Sequence, residues 1–510
     1  MTEPWDVVVI GAGLGGLGAA AALARAGHRV LVLEQGHQPG GYAVSFERPP
    51  YRFDASLHAY NGLCPGGGTD DLLRALGIAD RLDLQRLDPL YLARFPDRDV
   101  VVPADPFRYE ATLIDAFPAE QATIRAVMDD TWAVNAQLRR YQLDGQGGRL
   151  PSPESFAERY PLLAGLSALT WADYLASRVS DPGLVAALTV LWGYAATPPS
   201  RLGAVEGLMM TGNFGYFGGW YPKGGSGVLP RVLVEVLHAA SGRIEYGQRV
   251  ARLDVRDGWV EGVLTEQGLE VRCRAVVSNA SAAALAMLVG SEHLPAEYLA
   301  SIDALPVAAS NVCVYLGLDR DVFAAHRLPH EVFLFNGYDQ EVAYSAGLAG
   351  DWDRAGVMVT DYTALDPGCC PAGSGVVALT AIAAWDYADT WGSGGDPASR
   401  TTGYTAIKDR VADALVARVD RAIPGLADAV RVREVATPLT NHRYTLNPGG
   451  SWAGFERRPS GRGPAVLDAR TPLPNLVLAG AWTGNWGQMP ALGSGLAAAQ
   501  LLGQSLGSRH

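Results

Sequence analysis

The sequence DVVVIGAGLGG occupies residues 6–16, and the next apolar run, VLVLE, occupies residues 30–34. A β-branched run that leads into Gly-x-Gly-x-x-Gly and then into small residues predicts a strand, a tight turn and a helix. Gly11 allows the turn, Gly13 lets backbone amides approach a pyrophosphate, and Gly16 lets the helix pack against the strand. The helix start offers free N–H groups and a partial positive charge to phosphates. This stretch predicts a βαβ unit that binds a dinucleotide.

Glu34 ends the second predicted strand, where a carboxylate accepts hydrogen bonds from a ribose diol. The same carboxylate would repel a phosphate on that ribose, so the pattern disfavours NADP. A Gly-rich turn without a ligand is the alternative, because the chain contains 60 glycines. The motif by itself leaves FAD and NAD open.

Size and composition indicate a folded protein with more than one subdomain. The chain has 510 residues, 48% of them hydrophobic and 18% charged, and this length exceeds what one hydrophobic core usually supports. The formal net charge of −12 argues against a nucleic-acid partner, because phosphate binding needs a basic face. The five cysteines show no CxxC spacing, so neither a disulfide framework nor a metal site is predicted.

The two ends of the sequence indicate where in the cell the protein is expected to reside. The first predicted strand begins within a few residues of Met1, which leaves no room for a signal peptide, and we expect a cytoplasmic protein. No charged residue lies between Arg470 and Arg509, but Pro472 and Pro490 interrupt this stretch. A spanning helix needs about 20 continuous apolar residues. We therefore expect a buried strand, a loop and a buried helix, with peripheral membrane attachment left open.

The remaining sequence alternates between helical and strand patterns. Apolar spacing predicts a helix over 171–192. Further helices are predicted over 228–240, 404–423 and 491–506, and strands over 243–246, 250–255, 259–265, 269–272, 275–280, 312–318, 376–384 and 475–483.

Nucleotide-binding signals are split between the N-terminus, the middle and the C-terminus. An NAD dehydrogenase keeps its nucleotide site in one contiguous block, whereas distant segments must meet the long flavin end of FAD. The motifs of this layout are Pro39-Gly40-Gly41, Phe53-Asp54-Ala55-Ser56-Leu57-His58, Tyr221-Pro222-Lys223-Gly224-Gly225, Val276-Val277-Ser278-Asn279-Ala280, Thr437-Pro438-Leu439-Thr440, Arg443-Tyr444, Asn447-Pro448-Gly449-Gly450 and Leu478-Ala479-Gly480-Ala481-Trp482-Thr483.

These motifs resemble a flavoprotein superfamily that includes phytoene desaturases, carotenoid isomerases, retinol saturases and amine oxidases. Within it, the chain is similar to the carotenoid desaturase, carotenoid isomerase and retinol saturase branch along nearly its whole length. It departs from that branch at Tyr42, where a basic residue is usual, and at Ala481, where some members have Asp.

The resemblance implies an α/β fold, with a Rossmann-like FAD-binding domain of the glutathione reductase type and an interleaved α+β substrate domain. We expect residues 1–110, 205–300 and 465–510 to form the discontinuous FAD-binding domain. Residues 111–204 and 301–464 would form the substrate-binding domain with a helical cap. The implied FAD contacts are Gly11, Ala12, Gly13, Leu14, Gly15, Gly16, Glu34, Gln35, Gly40, Gly41, Tyr42, Leu57, Val250, Gly480, Ala481 and Met489.

Two residues are candidates for proton transfer. His58 matches the segment that approaches the flavin ring in retinol saturase-like proteins, and imidazole titrates in the useful range. A hydrogen-bonded structural histidine is the alternative. Tyr444 belongs to the matched Arg443-Tyr444 motif, with packing as its alternative. The helix start near Met489 would stabilise negative charge on a reduced ring.

The resemblance implies an FAD-dependent oxidoreductase that acts on carbon–carbon bonds of an apolar polyene or isoprenoid. Desaturation, saturation and isomerisation would all use hydride exchange with flavin N5. An amine oxidase-like enzyme acting on a C–N bond, or a flavin-binding partner protein without turnover, are the alternatives. The electron acceptor is not indicated. Aromatic residues between 192 and 221 would suit an apolar tunnel or a packed core: Trp192, Tyr194, Phe214, Tyr216, Phe217, Trp220 and Tyr221.

Overall fold

The computed structural model describes residues 3–64, 67–145, 153–396, 398–399, 401–459, 467–484 and 486–507. The strands are β1 Trp5–Ile10, β2 Val30–Glu34, β3 Ser45–Arg48, β4 Tyr51–Asp54, β5 Tyr60–Asn61, β6 Leu84–Leu87, β7 Tyr91–Arg94, β8 Asp99–Val102, β9 Gly219–Pro222, β10 Arg243–Tyr246, β11 Val250–Arg256, β12 Trp259–Thr265, β13 Glu270–Ser278, β14 Ser310–Leu318, β15 Glu331–Leu334, β16 Val357–Asp361, β17 Gly375–Ala383, β18 Val430–Ala436 and β19 Leu476–Leu478.

The helices are α1 Leu14–Arg25, α2 Gly68–Leu76, α3 Pro106–Ala116, α4 Gln121–Gly145, α5 Pro153–Arg159, α6 Pro161–Leu166, α7 Trp171–Ala176, α8 Pro182–Thr189, α9 Trp192–Ala195, α10 Ala204–Phe217, α11 Val228–Ala239, α12 Leu285–Val289, α13 Ala296–Asp303, α14 Val322–His326, α15 Gln340–Ala349, α16 Tyr387–Gly392, α17 Thr402–Ala422, α18 Leu426–Ala429, α19 Pro438–Thr445 and α20 Gln488–Gly507.

The first sheet has the strand order β10-β2-β1-β13-β12-β11, and β19 pairs with β13. β1 lies parallel to β2 on one side and to β13 on the other. Val7, Val8 and Val9 are fully buried, as expected for a central strand of a parallel sheet that is covered on both faces. The predicted strand–turn–helix–strand unit is confirmed as β1, α1 and β2.

Helix α20 packs directly on α1. Small residues permit this close contact, because a Cβ atom on Gly495 would lie 2.0 Å from the Gly15 carbonyl oxygen. A Cβ atom on Gly18 would lie 2.8 Å from a methyl group of Leu492. The packing brings the C-terminal segment to the turn that begins the chain's first helix.

The second sheet has the order β18-β14-β17-β16-β15-β7-β8. Residues of β14 alternate between its two faces: Val312 and Val314 pack in the core that includes α17, whereas Cys313 and Tyr315 join the core that includes β1 and α1. One face of this sheet is therefore turned towards the nucleotide-binding unit.

The predicted single helix over 171–192 is wrong. The structure has three short helices there, α7, α8 and α9. The Asp181 side chain accepts hydrogen bonds from the amides of Gly183 and Leu184, and Pro182 occupies the first turn of α8. A proline inside a longer helix would clash with the preceding turn, so the chain starts a new capped helix at this point.

The expected domain boundaries stay a prediction, but two elements pair or pack with segments that we assigned to the other domain. Strand β7, expected in the FAD-binding domain, pairs in parallel with β15 of the second sheet, with Leu92 opposite Val332. Both side chains are buried, so the apolar faces of segments far apart in sequence determine this pairing. Helix α10 packs against α4 and α7 of the helical region.

The uncharged C-terminal stretch forms β19, a loop and α20. The predicted strand over 475–483 is longer than the observed one, because Gly480 has a φ of 96° and turns the chain away from the sheet. Among the helices in the described ranges, none combines the length and the apolar composition needed to cross a membrane.

Candidate active site

A cavity of about 660 Å³ lies between the two sheets. Ile10 and Leu33 from the first sheet and Cys313 and Thr380 from the second contribute to its walls. The predicted site residues that line it are Gly11, Gly13, Leu14, Gly15, Glu34, Gln35, Gly40, Gly41, Tyr42, Leu57, His58, Val250, Tyr444, Gly480, Ala481 and Met489. Ala12 and Gly16 do not line it.

The turn before α1 leaves a cradle of backbone at one end of the cavity. No side chain caps α1, so no capping side chain competes with an anion for its first N–H groups. A Cβ atom on Gly15 would lie 2.5 Å from Asn279 Oδ1 and 2.6 Å from the Gly480 amide nitrogen. Asn279 thus supports this cradle, a role that its motif did not reveal in the sequence.

Ala12 and Gly16 support the turn from behind. A Cβ atom on Gly16 would lie 2.0 Å from the Gly11 carbonyl oxygen, so the residue is needed for close packing. The Ala12 amide donates to Glu34 Oε2 at 2.6 Å, and the Gly36 amide donates to Glu34 Oε1 at 2.7 Å. These bonds orient the Glu34 carboxylate at the cavity wall. Its contact with a ribose stays a prediction.

Tyr42 occupies a position at which a basic residue is usual in the branch of carotenoid desaturases, carotenoid isomerases and retinol saturases that the sequence resembles. Its hydroxyl donates to the Ser451 carbonyl oxygen at 3.3 Å. Desolvation of the hydroxyl by burial raises the pKa of Tyr42, so the side chain is neutral near pH 7. This residue therefore contributes a hydrogen-bonding group, and no charge, to the cavity wall.

His58 lies in the cavity wall with one ring nitrogen turned towards the second sheet. Its Nδ1 atom is 2.6 Å from Thr360 Oγ1 and 3.3 Å from Glu331 Oε2. The ring centroid is 5.4 Å from that of Tyr194. Thr360 and Glu331 were not predicted, because they lie in ordinary strand sequences without a motif.

The Asp54 carboxylate holds the segment that carries His58. It is buried and accepts hydrogen bonds from the amides of Leu57 and Ser226, from the Ser226 hydroxyl and from the Tyr221 hydroxyl. Leu57 belongs to the motif Phe53–His58, whereas Tyr221 begins the motif Tyr221–Gly225 and Ser226 directly follows it. Asp54 therefore joins the His58 segment to the turn before α11.

We expect Asp54→Ala to lower the free energy of unfolding by at least about 3 kcal/mol, because it leaves several buried donors without their acceptor. Chemical denaturation measures this loss. Asp339→Ala is the control, since Asp339 is an exposed cap of α15, and we expect a loss of about 1 kcal/mol there. Equal losses in both variants would contradict a special role for Asp54.

Tyr444 lies at the nucleotide end of the cavity. Its carbonyl oxygen accepts a hydrogen bond from Gln35 Nε2 at 2.9 Å, next to Glu34. Its side chain is 65% exposed, and its hydroxyl accepts a hydrogen bond from Arg443. Catalysis by Tyr444 stays a prediction, and this position favours a contact with the nucleotide.

Other parts of the cavity wall are rich in apolar side chains. Met210 and Phe214 from α10, Met358 from β16, and Trp486 all contribute to it. Of the aromatic residues expected to form a tunnel, Tyr194 and Phe214 line the cavity; Trp192, Tyr216, Phe217, Trp220 and Tyr221 do not. The tunnel interpretation therefore applies to two of these residues, and the others are outside the lining.

The first turn of α10 carries a buried carboxyl group, Glu206. Burial raises the pKa of Glu206 to about 7, although the positive charge of Arg457 acts in the opposite direction. The Arg457 side chain also donates to the Ala481 carbonyl oxygen at 3.5 Å. Arg457 thus lies between the first turn of α10 and the C-terminal segment of the cavity.

We expect the free energy of unfolding to fall between about pH 4.5 and about pH 7 because of Glu206. In this window the folded protein keeps the proton on Glu206, whereas the unfolded chain releases it. Rising pH therefore favours the unfolded state, by up to about 3 kcal/mol in total. Denaturation at several pH values should show a weaker slope for Glu206→Gln. Glu341→Gln should retain the wild-type slope, and an unchanged slope in Glu206→Gln would contradict this assignment.

The family model for flavin containing amine oxidoreductases matches residues 14–502. The chain belongs to this family. It is 31% identical to phytoene dehydrogenase of Streptomyces griseus over 456 residues, which cover 85% of this chain and 82% of that protein. It is 25% identical to the chloroplastic prolycopene isomerase 2 of an Oncidium hybrid cultivar over 473 residues, which cover 89% of this chain and 76% of that protein.

The solved structure of cyclohexylamine oxidase from Brevibacterium oxydans IH-35A has a TM-score of 0.64 with this chain. The match covers 99% of each chain at 16% identity, so the likeness concerns the fold alone. Together these matches confirm the predicted fold class, the FAD cofactor and the oxidoreductase class.

The residues of the cavity fit FAD. The uncapped start of α1 and the glycines beside Asn279 would hold the pyrophosphate, and Glu34 would hold the ribose. Helix α20 begins at Gln488, beside the cavity, and its positive end would stabilise negative charge on the ring. When bound, the flavin supplies hydride acceptance and donation.

Proposed function

We propose that this flavoenzyme exchanges hydride at carbon–carbon bonds of an apolar polyene or isoprenoid. The observation that carries the proposal is the apolar wall formed by Met210, Phe214 and Met358, which continues from the nucleotide cradle in one cavity. Apolar side chains remove a hydrocarbon chain from water without leaving polar groups unpaired. The names of the similar phytoene dehydrogenase and prolycopene isomerase support the same substrate class.

His58 is the residue that we propose for proton transfer. Removal of a hydride from a saturated carbon–carbon bond also requires the loss of one proton. Addition of a hydride to a double bond requires the gain of one. His58 lines the cavity, and its Nε2 atom makes no hydrogen bond within the described parts of the chain. This nitrogen is therefore available to a substrate carbon, while Nδ1 is engaged by Thr360.

The test uses purified holoenzyme without oxygen. Phytoene in liposomes should bleach the flavin absorbance and give a product with more double bonds. Prolycopene added to enzyme with reduced flavin should change its geometry without a net redox change. The first result would identify desaturation and the second would identify isomerisation. Chromatography of the extracted polyenes distinguishes the two products.

Cyclohexylamine provides the contrasting substrate in the same assay. We expect it to leave the flavin oxidised. Bleaching by the amine, with peroxide formed on readmission of oxygen and no change in either polyene, would replace the proposal with oxidation of a C–N bond. A flavin that no candidate reduces would favour a partner protein without turnover.

The proposed substrate class also bears on location. A polyene dissolves in the hydrocarbon of a membrane and not in water, so an enzyme in the cytoplasm would have to take it from a membrane surface. We therefore propose peripheral membrane contact, to be tested by co-sedimentation of the holoenzyme with liposomes that contain phytoene. Failure to co-sediment would contradict this location.

A further inference from the structure

Behind His58, a threonine and a carboxylate form a short hydrogen-bonded chain. Thr360 Oγ1 donates to Glu331 Oε2 at 2.8 Å, and His58 Nδ1 is 2.6 Å from the same threonine oxygen. Glu331 and Thr360 are directly opposite each other on the paired strands β15 and β16. Both side chains are buried. The sheet therefore presents a fixed hydroxyl and a fixed carboxylate to one edge of the imidazole.

This chain determines the tautomer of His58. The single hydroxyl hydrogen of Thr360 is used in the bond to Glu331, so the threonine oxygen accepts the bond to His58. Nδ1 must then carry a hydrogen. In the neutral ring Nε2 consequently has the free lone pair and is the basic nitrogen.

Glu331 has no cation within ion-pair distance in the described ranges other than His58. Its second oxygen, Oε1, is buried and has no hydrogen-bond partner among the same residues. A carboxylate so placed stabilises a positive charge on the neighbouring imidazole. Without such a charge it is an uncompensated buried anion, which is costly.

We propose that Thr360 and Glu331 are positioning residues, which set the Nδ1–H tautomer of His58 and stabilise its protonated form during turnover. This inference rests on the proposed function for its catalytic meaning. In desaturation, Nε2 of His58 accepts the proton of one substrate C–H bond, and the electron pair of that bond becomes the new double bond. The neighbouring carbon gives its hydrogen, with two electrons, to oxidised FAD. Saturation moves the same proton and hydride in reverse.

Other titratable groups surround this segment and belong to the same electrostatic environment. The Tyr194 ring lies beside His58, and His330 Nε2 bonds the His58 carbonyl oxygen. His330 is in turn bonded through Nδ1 to the carbonyl oxygen of Asp361. Asp54 accepts from the Leu57 amide, and the Tyr362 hydroxyl donates to the Leu57 carbonyl oxygen. Among the residues that the structure describes, only Glu331 and Thr360 lie within hydrogen-bond distance of Nδ1 of His58.

The first experiment compares rates of flavin reduction by phytoene in the holoenzyme and its variants. Glu331→Gln and Thr360→Val should slow reduction about 10- to 100-fold, as loss of a partner that orients a histidine does elsewhere. Thr360→Ser keeps the hydroxyl and should restore most of the rate. In Glu331→Gln the rising limb of the pH–rate profile should move to lower pH, because the protonated imidazole has lost its stabilising charge.

A matched control separates this effect from general damage. Glu120 is another buried carboxylate, which accepts hydrogen bonds from the amides of Ser180 and Asp181 and does not line the cavity. Glu120→Gln should retain the wild-type pH profile. A wild-type profile in Glu331→Gln, or no rescue by Thr360→Ser, would overturn the proposal.

A second measurement does not depend on turnover. The nitrogen chemical shifts of ¹⁵N-histidine-labelled holoenzyme should show the Nδ1–H tautomer for His58, assigned with His58→Gln. Thr360→Val should change this tautomer balance. An Nε2–H tautomer in the wild type would overturn the inference. Absence of reaction with phytoene together with the Nδ1–H tautomer would overturn the proposed function while supporting the arrangement around His58.

Discussion

Replacing Gly15 with alanine is expected to give a folded protein that has lost most of its FAD. The added Cβ atom would lie 2.5 Å from Asn279 Oδ1 and 2.6 Å from the Gly480 amide nitrogen. Asn279 could rotate, but the Gly480 contact is to backbone and cannot be relieved by a side-chain movement. The first turn of α1 must therefore move away from the C-terminal segment, which separates two predicted parts of the cofactor site.

Overpacking of this kind costs about 1–3 kcal/mol, which corresponds to binding up to about 100-fold weaker if the whole cost falls on the FAD-bound state. The ratio of flavin to protein absorbance, and titration of the apoprotein with FAD, measure the loss. Gly165→Ala is the matched control: Gly165 is an exposed residue of α6 with open space around its Cβ position. Wild-type flavin content in Gly15→Ala would show that the close approach to Gly480 is not required.

The turn that binds the nucleotide could be predicted because its signal is local. Gly11, Gly13 and Gly16 are needed by a backbone path that spans only a few residues, and β1 and β2 are buried runs on either side of it. The docking of α20 on this turn is less local. It depends on Gly495 lying against Gly15, a contact that neither segment reveals by itself.

The groups around His58 could not be predicted in the same way. Thr360 lies 302 residues away in sequence, and its position depends on the pairing of β16 with β15 and on the face that each residue presents. A shift of one residue in the register would turn Thr360 to the opposite face of the sheet. Buried strands of this kind resemble one another in composition, so a functional threonine cannot be distinguished there from a packing residue.

The broken helix over 171–192 shows a different limit. Apolar spacing alone fits one continuous helix, but Asp181 and Pro182 together start a new helix inside the pattern. The capping bonds from Gly183 and Leu184 compensate for the interruption. Here a local signal was present in the sequence, and it outweighs the periodicity of the apolar side chains.

Replacing His58 with glutamine is expected to slow the reaction of the holoenzyme with phytoene by about 10²- to 10⁴-fold, the usual contribution of a general acid or base. Glutamine keeps a polar side chain that can bond to Thr360, but it cannot take up a proton at neutral pH. The flavin content should stay close to that of the wild type, because the proposed cofactor cradle lies at the start of α1. Anaerobic stopped-flow measurement of flavin bleaching separates the chemical step from binding.

His293→Gln is the matched control, because His293 is exposed and does not line the cavity. Tyr444→Phe tests the second predicted proton-transfer residue in the same assay. The bond from Gln35 is to the backbone carbonyl oxygen of Tyr444, so phenylalanine keeps it and the substitution removes only the hydroxyl of a largely exposed side chain. We therefore expect a near-wild-type rate of bleaching in Tyr444→Phe, with any effect falling on FAD affinity. A large loss of rate in Tyr444→Phe, with a near-normal rate in His58→Gln, would transfer the proton-transfer role from His58 to Tyr444 and require a different position for the reacting carbon.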